Sequence, residues 1–327
     1  MFKLYLDIML YKNVNGGRAM KVENFKFKDK SDMEIFVYKW LPDMNVQIKG
    51  VVQIAHGMAE TAARYEGFAN YLTDNGFVVY ANDHRGHGKT AGEIEKLGDL
   101  GEDGFSSMVE NMQELNRIIK VENPNLPIFL FGHSMGSFLT QRYISLYGSE
   151  LKGAILSGSS GKQGIIIDIG ILIAKMEMKK VGRGSKSNKL DKLTFGGYNN
   201  SFKPNRTAFD WLSRDNEEVD KYINDPFCGT VFTAGFFYDF LGGLKSVADK
   251  RVISEVPKDL PIYIFSGEKD PVGKNGKGVL TLVKAYRKHG MKDLDFKLYK
   301  DGRHEMLNEI NKEEVIDDVI KWLNAHI

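Results

Sequence analysis

The stretch "IFLFGHSMGSF", Ile128 to Phe138, constrains the fold more than any other part of the chain. Apolar β-formers run into Gly132-His133-Ser134-Met135-Gly136, and a helical pattern follows at once. A strand that turns into a helix this tightly puts its central residue into strained backbone angles. The residues two positions either side must then be small, which accounts for Gly132 and Gly136. Such a turn suits an open, mostly parallel sheet. It lifts the Ser134 hydroxyl to the carboxyl edge, where ligands bind in α/β folds. The following helix N-terminus aims the Met135 N–H at the place where an oxyanion would form.

The rest of the chain fits such a sheet. "NFKFKD" and "EIFVYKW" read as a hairpin across Asp29 to Asp32. "GVVQIAHG" and "FVVYAND" read as buried strands, and "PIFLFGH", "LKGAILSG", "PIYIFSG" and "DFKLYK" as further strands. Helical stripes alternate with them: Tyr65, Phe68, Ala69 and Leu72; Phe105, Met108, Met112 and Leu115; Ser134 to Tyr147; Val279 to His289; and Val315, Ile316, Val319, Ile320 and Leu323. This alternation means a mostly parallel sheet with helices on both faces. The rhythm breaks between about Ser159 and Lys250, so residues 160–250 are expected to form an inserted helical cap on a core of residues 20–159 and 251–327. Residues 1–19 alternate apolar and polar at strand period, and read as an extension or an extra edge strand. Asp7 interrupts the apolar run and no small-residue cleavage site follows, which disfavours a signal peptide.

A serine hydroxyl needs a base to act as a nucleophile at neutral pH. Where this turn serves catalysis, the partners follow in the order Ser, acid, His. His289 sits in a last helical turn before Gly290, and His326 is next to last in the chain. His304, in "YKDGRHEMLNE", lies on a loop leaving the final strand and is the expected base. "YIFSGEKDPVG" offers Glu268 and Asp270. Pro271 fixes the turn after Asp270, which favours that carboxylate as the one that orients His304. A second oxyanion donor is expected from "AHGMAE", where Gly57 brings the loop close and the Met58 N–H points in. His56 reads as a structural hydrogen-bonding residue. Asp83, His84 and His87 in "NDHRGHGKT" suggest a metal, but no further ligand is framed at the required spacing, so no metal and no cofactor are expected.

"AHGMAETAARY", "NDHRGHGKT", "FGHSMGS", "SGEKDPVG" and "DGRHEMLNE" together resemble the α/β-hydrolases, most of all the monoacylglycerol lipase and lysophospholipase branch. The resemblance runs from about Met20 onward and includes "FDWLSRDNEEVDKYINDPFCGTVFTAGFF" in the insertion. It implies a serine hydrolase that cleaves monoacylglycerols, lysophospholipids or short to medium acyl esters through an acyl-enzyme. Thioesterase, amidase or peptidase, acyltransferase and non-catalytic ligand-binding readings share the same residues. Two departures are Thr61, where relatives often carry His, and Ser137, where many carry a third glycine.

In the insertion, "GIIIDIGILIA" is apolar but too short to span a bilayer, and Lys175, Lys179, Lys180, Arg183, Lys186 and Lys189 follow. Two readings stay open: a cap helix with a solvated basic face, or a lid that meets lipid and anionic headgroups. Ile165, Ile166, Phe232, Phe236 and Phe237 are the candidate acyl-site residues, with ordinary cap core as the alternative reading of the phenylalanines. The net charge of +2 over 327 residues points to no nucleic acid. The single cysteine, Cys228, excludes an internal disulfide framework, reads as a buried inert thiol and suits the cytoplasm.

Overall fold

The structure, a computed structural model, describes residues 7–10 and 20–327. Among the described residues, nine strands form one sheet: β1 (Asp7–Leu10), β2 (Lys21–Lys28), β3 (Glu34–Leu41), β4 (Gly50–Ala55), β5 (Phe77–Asn82), β6 (Ile128–His133), β7 (Gly153–Ser157), β8 (Ile262–Gly267) and β9 (Leu294–Tyr299). Their spatial order is β1-β2-β3-β5-β4-β6-β7-β8-β9. The first three strands run antiparallel and β3 joins β5 antiparallel; from β5 to β9 every pairing is parallel. The expected hairpin is β2–β3. Asp7–Leu10 adds an edge strand on β2, and the remainder of residues 1–19 lies outside the described residues.

The helices are α1 (Glu66–Asp74), α2 (Gly88–Ala91), α3 (Gly104–Glu122), α4 (Met135–Tyr147), α5 (Ile166–Val181), α6 (Asn188–Phe195), α7 (Asn216–Asn224), α8 (Ala234–Val247), α9 (Lys250–Glu255), α10 (Lys277–His289) and α11 (Lys312–Ala325). The central strands β4 to β8 are buried along their whole length, as continuous apolar runs require. On one face, Phe68 and Leu72 of α1 and Val315 and Val319 of α11 close a core. On the other, Met108 and Met112 of α3, Leu139 of α4 and Val283 of α10 close a second.

The insertion between β7 and β8 carries α5 to α9. It shares part of the main core and adds a small apolar cluster of its own around Trp211, Leu212 and Tyr222. Phe236, Phe237, Phe240 and Val247 of α8 belong to the same apolar cluster as Phe105, Phe138 and Leu139. α5 lies across α8, and several of its apolar residues stand in solvent: Ile166, Ile169, Leu172 and Met176 are all exposed.

The chain order places the site. From β4 the chain passes to β5 on one side, and after α3 it returns to β6 on the other side of β4. The loops after β4 and β6 therefore diverge and leave a crevice at the carboxyl edge, the place where open α/β sheets take ligands.

Candidate active site

Ser134 is the residue between β6 and α4, with φ 51° and ψ −116°. This is a left-handed conformation for a residue with a side chain, and it persists because its surroundings leave no alternative. A Cβ on Gly132 would lie 2.3 Å from Thr140 Oγ1, and one on Gly136 would lie 2.0 Å from the Ala55 carbonyl oxygen. Only glycine fits at either place. The Ser134 N–H donates to the Ser157 carbonyl at 2.9 Å, which ties the turn to the end of β7.

Asp270 and His304 leave the ends of β8 and β9. His304 Nε2 is 2.8 Å from Ser134 Oγ, and His304 Nδ1 is 2.9 Å from Asp270 Oδ1. A carboxylate at Nδ1 fixes the proton there, so Nε2 is free to accept from the serine hydroxyl. Asp270 is buried, takes the Ser266 hydroxyl at 2.7 Å and the Val272 N–H at 2.9 Å, and so has both oxygens held. Glu268 is exposed. Burial raises the Asp270 pKa, but the His304 charge and these hydrogen bonds outweigh it and leave it below the usual carboxylate range. Burial works the other way on His304, and there the Asp270 charge and hydrogen bond outweigh it, so the imidazole pKa is raised. His289 and His326 lie elsewhere, His289 closing α10 and His326 bonded to the Trp322 carbonyl at 2.7 Å.

The loop after β4 approaches the serine closely: a Cβ on Gly57 would sit 3.3 Å from that of Ser134. Met58 and Met135 both line the cavity above Ser134, and no side chain caps the N-terminus of α4. Glu60 Oε1 accepts the Gly57 N–H at 2.5 Å and the Tyr65 hydroxyl at 2.8 Å, which sets the shape of this loop. The insertion holds it from outside, through the Gly229 N–H on the Ala59 carbonyl at 2.9 Å.

The cavity has a volume of about 820 Å³. Its floor is Ser134, His304, Met58 and Met135. Its walls are mostly apolar, from Phe138 on the core side to Ile166, Ile173, Phe237 and Leu244 of the insertion. Of the five candidate acyl-site residues, Ile166 and Phe237 are on the wall. Phe232 and Phe236 are not: they are buried against each other with ring centroids 4.1 Å apart, and Phe232 packs on His87. Ile165 precedes α5 and is 77% exposed, because the apolar stripe of that helix begins one residue later on the cavity side.

The three histidines of the second cluster are core residues. His56, His84 and His87 are buried, with the His56 ring centroid 4.3 Å from that of His84 and 5.1 Å from that of His87. His56 Nε2 accepts the His84 backbone N–H at 2.9 Å. Burial lowers their pKa values, to about 4 for His56 and about 3 for His87, so all three are neutral. Asp83 beside them accepts the Ala62 and Lys89 N–H groups and shapes the loop. Cys228 is half-buried rather than fully buried, and burial pushes its thiol pKa up.

Several site residues were given no role by the sequence. Trp211 of the insertion lies over the His304 ring, with centroids 5.1 Å apart, and its carbonyl accepts the His304 N–H at 3.3 Å. Leu212 accepts the Glu305 N–H at 2.7 Å, Ser213 donates to the Asn308 carbonyl at 2.7 Å, and Arg214 pairs with buried Glu309 at 2.8 Å. The segment Trp211 to Arg214 thus clamps the histidine loop. His133 packs on the other side of His304, with centroids 4.8 Å apart, and burial holds its pKa down at about 4. Gly158, with φ 59°, leaves the room that a Cβ would take 2.9 Å from His304 Cε1.

This sheet, this turn and this serine–histidine–aspartate alignment define an α/β-hydrolase. The family model for serine aminopeptidases of the S33 type matches residues 46–311, and the chain belongs to that family. Among curated relatives, a monoacylglycerol lipase of Mycolicibacterium smegmatis is 30% identical over 88% of this chain and 92% of its own. A monoglyceride lipase of Mus musculus is 27% identical over 90% and 88%. Among solved structures, a highly thermostable carboxyl esterase from Bacillus coagulans in complex with glycerol superposes with a TM-score of 0.83 at 28% identity, covering 99% of each chain.

Proposed function

We propose that the protein is a carboxylic ester hydrolase acting on lipid-like acyl esters, with monoacylglycerols and lysophospholipids as the substrate class. The observation that carries this reading is the Ser134–His304–Asp270 alignment opening into a mostly apolar cavity of about 820 Å³. Ser134 attacks the ester carbonyl while His304 Nε2 takes its proton. The Met58 and Met135 N–H groups hold the oxyanion. His304 then protonates the leaving alcohol, and water activated by the same imidazole releases the acyl group from Ser134. Asp270 keeps the ring in the required tautomer and stabilises the imidazolium. The names of the relatives, two glyceride lipases and a carboxyl esterase, support the ester over the amide that the family's description names.

In this reading residues 160–250 are the cap, and it sets which acyl chain fits. The exposed apolar face of α5, Ile166, Ile169, Leu172 and Met176, with Lys179 and Lys180 in its last turn, supports docking at an anionic membrane surface from the cytoplasm.

A fluorophosphonate probe tests the chemistry. Wild type is expected to label stoichiometrically and Ser134→Ala not at all; equal labelling of both removes the reading. A panel of p-nitrophenyl esters, aminoacyl p-nitroanilides, 1-monoacylglycerol and lysophosphatidylcholine then sorts substrates, and turnover confined to acetyl esters or to anilides contradicts the lipid assignment. Co-sedimentation with phosphatidylglycerol vesicles, but not phosphatidylcholine vesicles, is the expected outcome for α5; equal recovery in both supernatants ends that part.

A further inference from the structure

A second cavity of about 410 Å³ lies behind the active site, and Glu60, His133 and Glu305 line both. The partition between the two is built around Arg64, which lines only the second. Its guanidinium donates to Glu60 Oε2 at 2.5 Å and to both oxygens of Glu305 at 2.8 and 2.7 Å. The Arg64 side chain is 10% exposed, those of Glu60 and Glu305 are 4% and 7% exposed, and Tyr222 of the insertion covers the guanidinium at 5.0 Å. Burial raises the Glu305 pKa, and the Arg64 charge and hydrogen bonds overcome it, so the carboxylate stays ionised.

Each carboxylate sits next to a part of the proposed machinery. Glu60 holds the Gly57 N–H, one residue before Met58. Glu305 follows His304 directly in the chain. The two loops leave strands far apart in the sheet, and Arg64 joins them with fixed, planar geometry.

We propose that Arg64 is a positioning residue: through Glu60 and Glu305 it sets the distance between the oxyanion-binding loop and the base. This rests on the ester-hydrolase reading above. A buried ion triad is costly to assemble and gains little net stability over apolar packing, so its retention here is accounted for by the geometry it imposes. Displacing either loop by an ångström would misalign oxyanion donor and proton acceptor together, an error that costs rate rather than binding.

The test measures kcat and KM per active site, with sites counted by fluorophosphonate titration, in Arg64→Lys, Arg64→Met, Glu305→Gln and, as control, Lys221→Ala, whose side chain lines the second cavity and pairs with Glu218. Arg64→Lys keeps the charge but loses the fork. It is expected to lower kcat per titrated site about 10-fold to 100-fold with KM within about threefold, and Lys221→Ala to match wild type. In Glu305→Gln the rate falls as well, and the acid limb of kcat/KM moves to lower pH. The groups facing His304 are Asp270, His133, Glu60 and Glu305, and this variant removes one of the carboxylates that favour the imidazolium. If kcat per titrated site stays within about twofold of wild type in Arg64→Lys and Glu305→Gln, with only the titratable fraction reduced, Arg64 is structural and the proposal falls. Should Arg64→Met fail to fold, the other two variants decide. Absence of labelling in wild type would instead overturn the hydrolase reading, which separates the two failures.

Discussion

Asp270 shows how much a single residue carries at this site. Its two oxygens are occupied by three partners, Oδ1 by His304 Nδ1 and the Val272 N–H and Oδ2 by the Ser266 hydroxyl. Asparagine at this position is nearly isosteric but presents an amide that favours the wrong imidazole tautomer. Asp270→Asn is therefore expected to lower kcat/KM by about 10³-fold to 10⁴-fold while leaving the fold intact. The pH profile gives the sign. In the proposed mechanism neutral His304 is the active form, and Asp270 raises its pKa, so kcat/KM of wild type is expected to rise with pH through a value above that of a free imidazole. With Asp270→Asn that limb moves to lower pH; an unmoved limb contradicts the assignment of the base. These three side chains were legible in the sequence because each directly follows a strand pattern. Arg64 was given no role: it lies in "AHGMAETAARY", but its partners stand four and 241 positions away, and the motif does not say what the arginine holds.

At the scale of elements, α8 separates packing from specificity. Phe236 is buried in the shared core, stacked on Phe240 with centroids 5.5 Å apart, whereas Phe237 lines the cavity. Phe236→Ala is expected to lose about 3–5 kcal/mol of stability by chemical denaturation with an unchanged acyl-chain profile. Phe237→Ala is expected to shift the p-nitrophenyl ester preference toward longer or bulkier acyl groups. The reverse assignment of effects would mean that the helix is rotated from the position described. The sequence could not tell these neighbours apart, because a helix apolar on nearly every side has no periodicity to show which residue faces the ligand. The clamp from Trp211 to Arg214 was hidden for a related reason. It is an irregular segment that acts through the Trp211 and Leu212 carbonyls, which accept the His304 and Glu305 N–H groups, and the Ser213 hydroxyl, which donates to the Asn308 carbonyl.

Across the whole molecule, a mostly parallel sheet with helices on both faces is readable from the alternation of strand and helix patterns along the chain, whereas the strand order and its switch point are not, since nothing local says on which side of β4 the next strand joins. The way the insertion shares the core was not readable, because that contact is between faces far apart in sequence. The interior also sets an acid limit. His56, His84, His87 and His133 are buried with pKa values lowered below 6.5, so unfolding takes up protons at each of them as pH falls below that value. Asp83, raised to about 6 by burial, opposes this with one proton. Stability is therefore expected to fall between about pH 6.5 and pH 4, by about 1.4 kcal/mol per pH unit for each net proton taken up. Urea midpoints across that range measure it, and a flat profile would mean that these imidazoles are hydrated.

The central claim is that Ser134 becomes acylated because His304 and Asp270 converge on it at one edge of the sheet. Rapid acid quenching during turnover of a medium-chain p-nitrophenyl ester, followed by peptide mass spectrometry, measures this directly. The account predicts one acyl group on the peptide containing Ser134 in wild type and none in Ser134→Ala. Acylation at another residue, or undiminished turnover by Ser134→Ala, would contradict it.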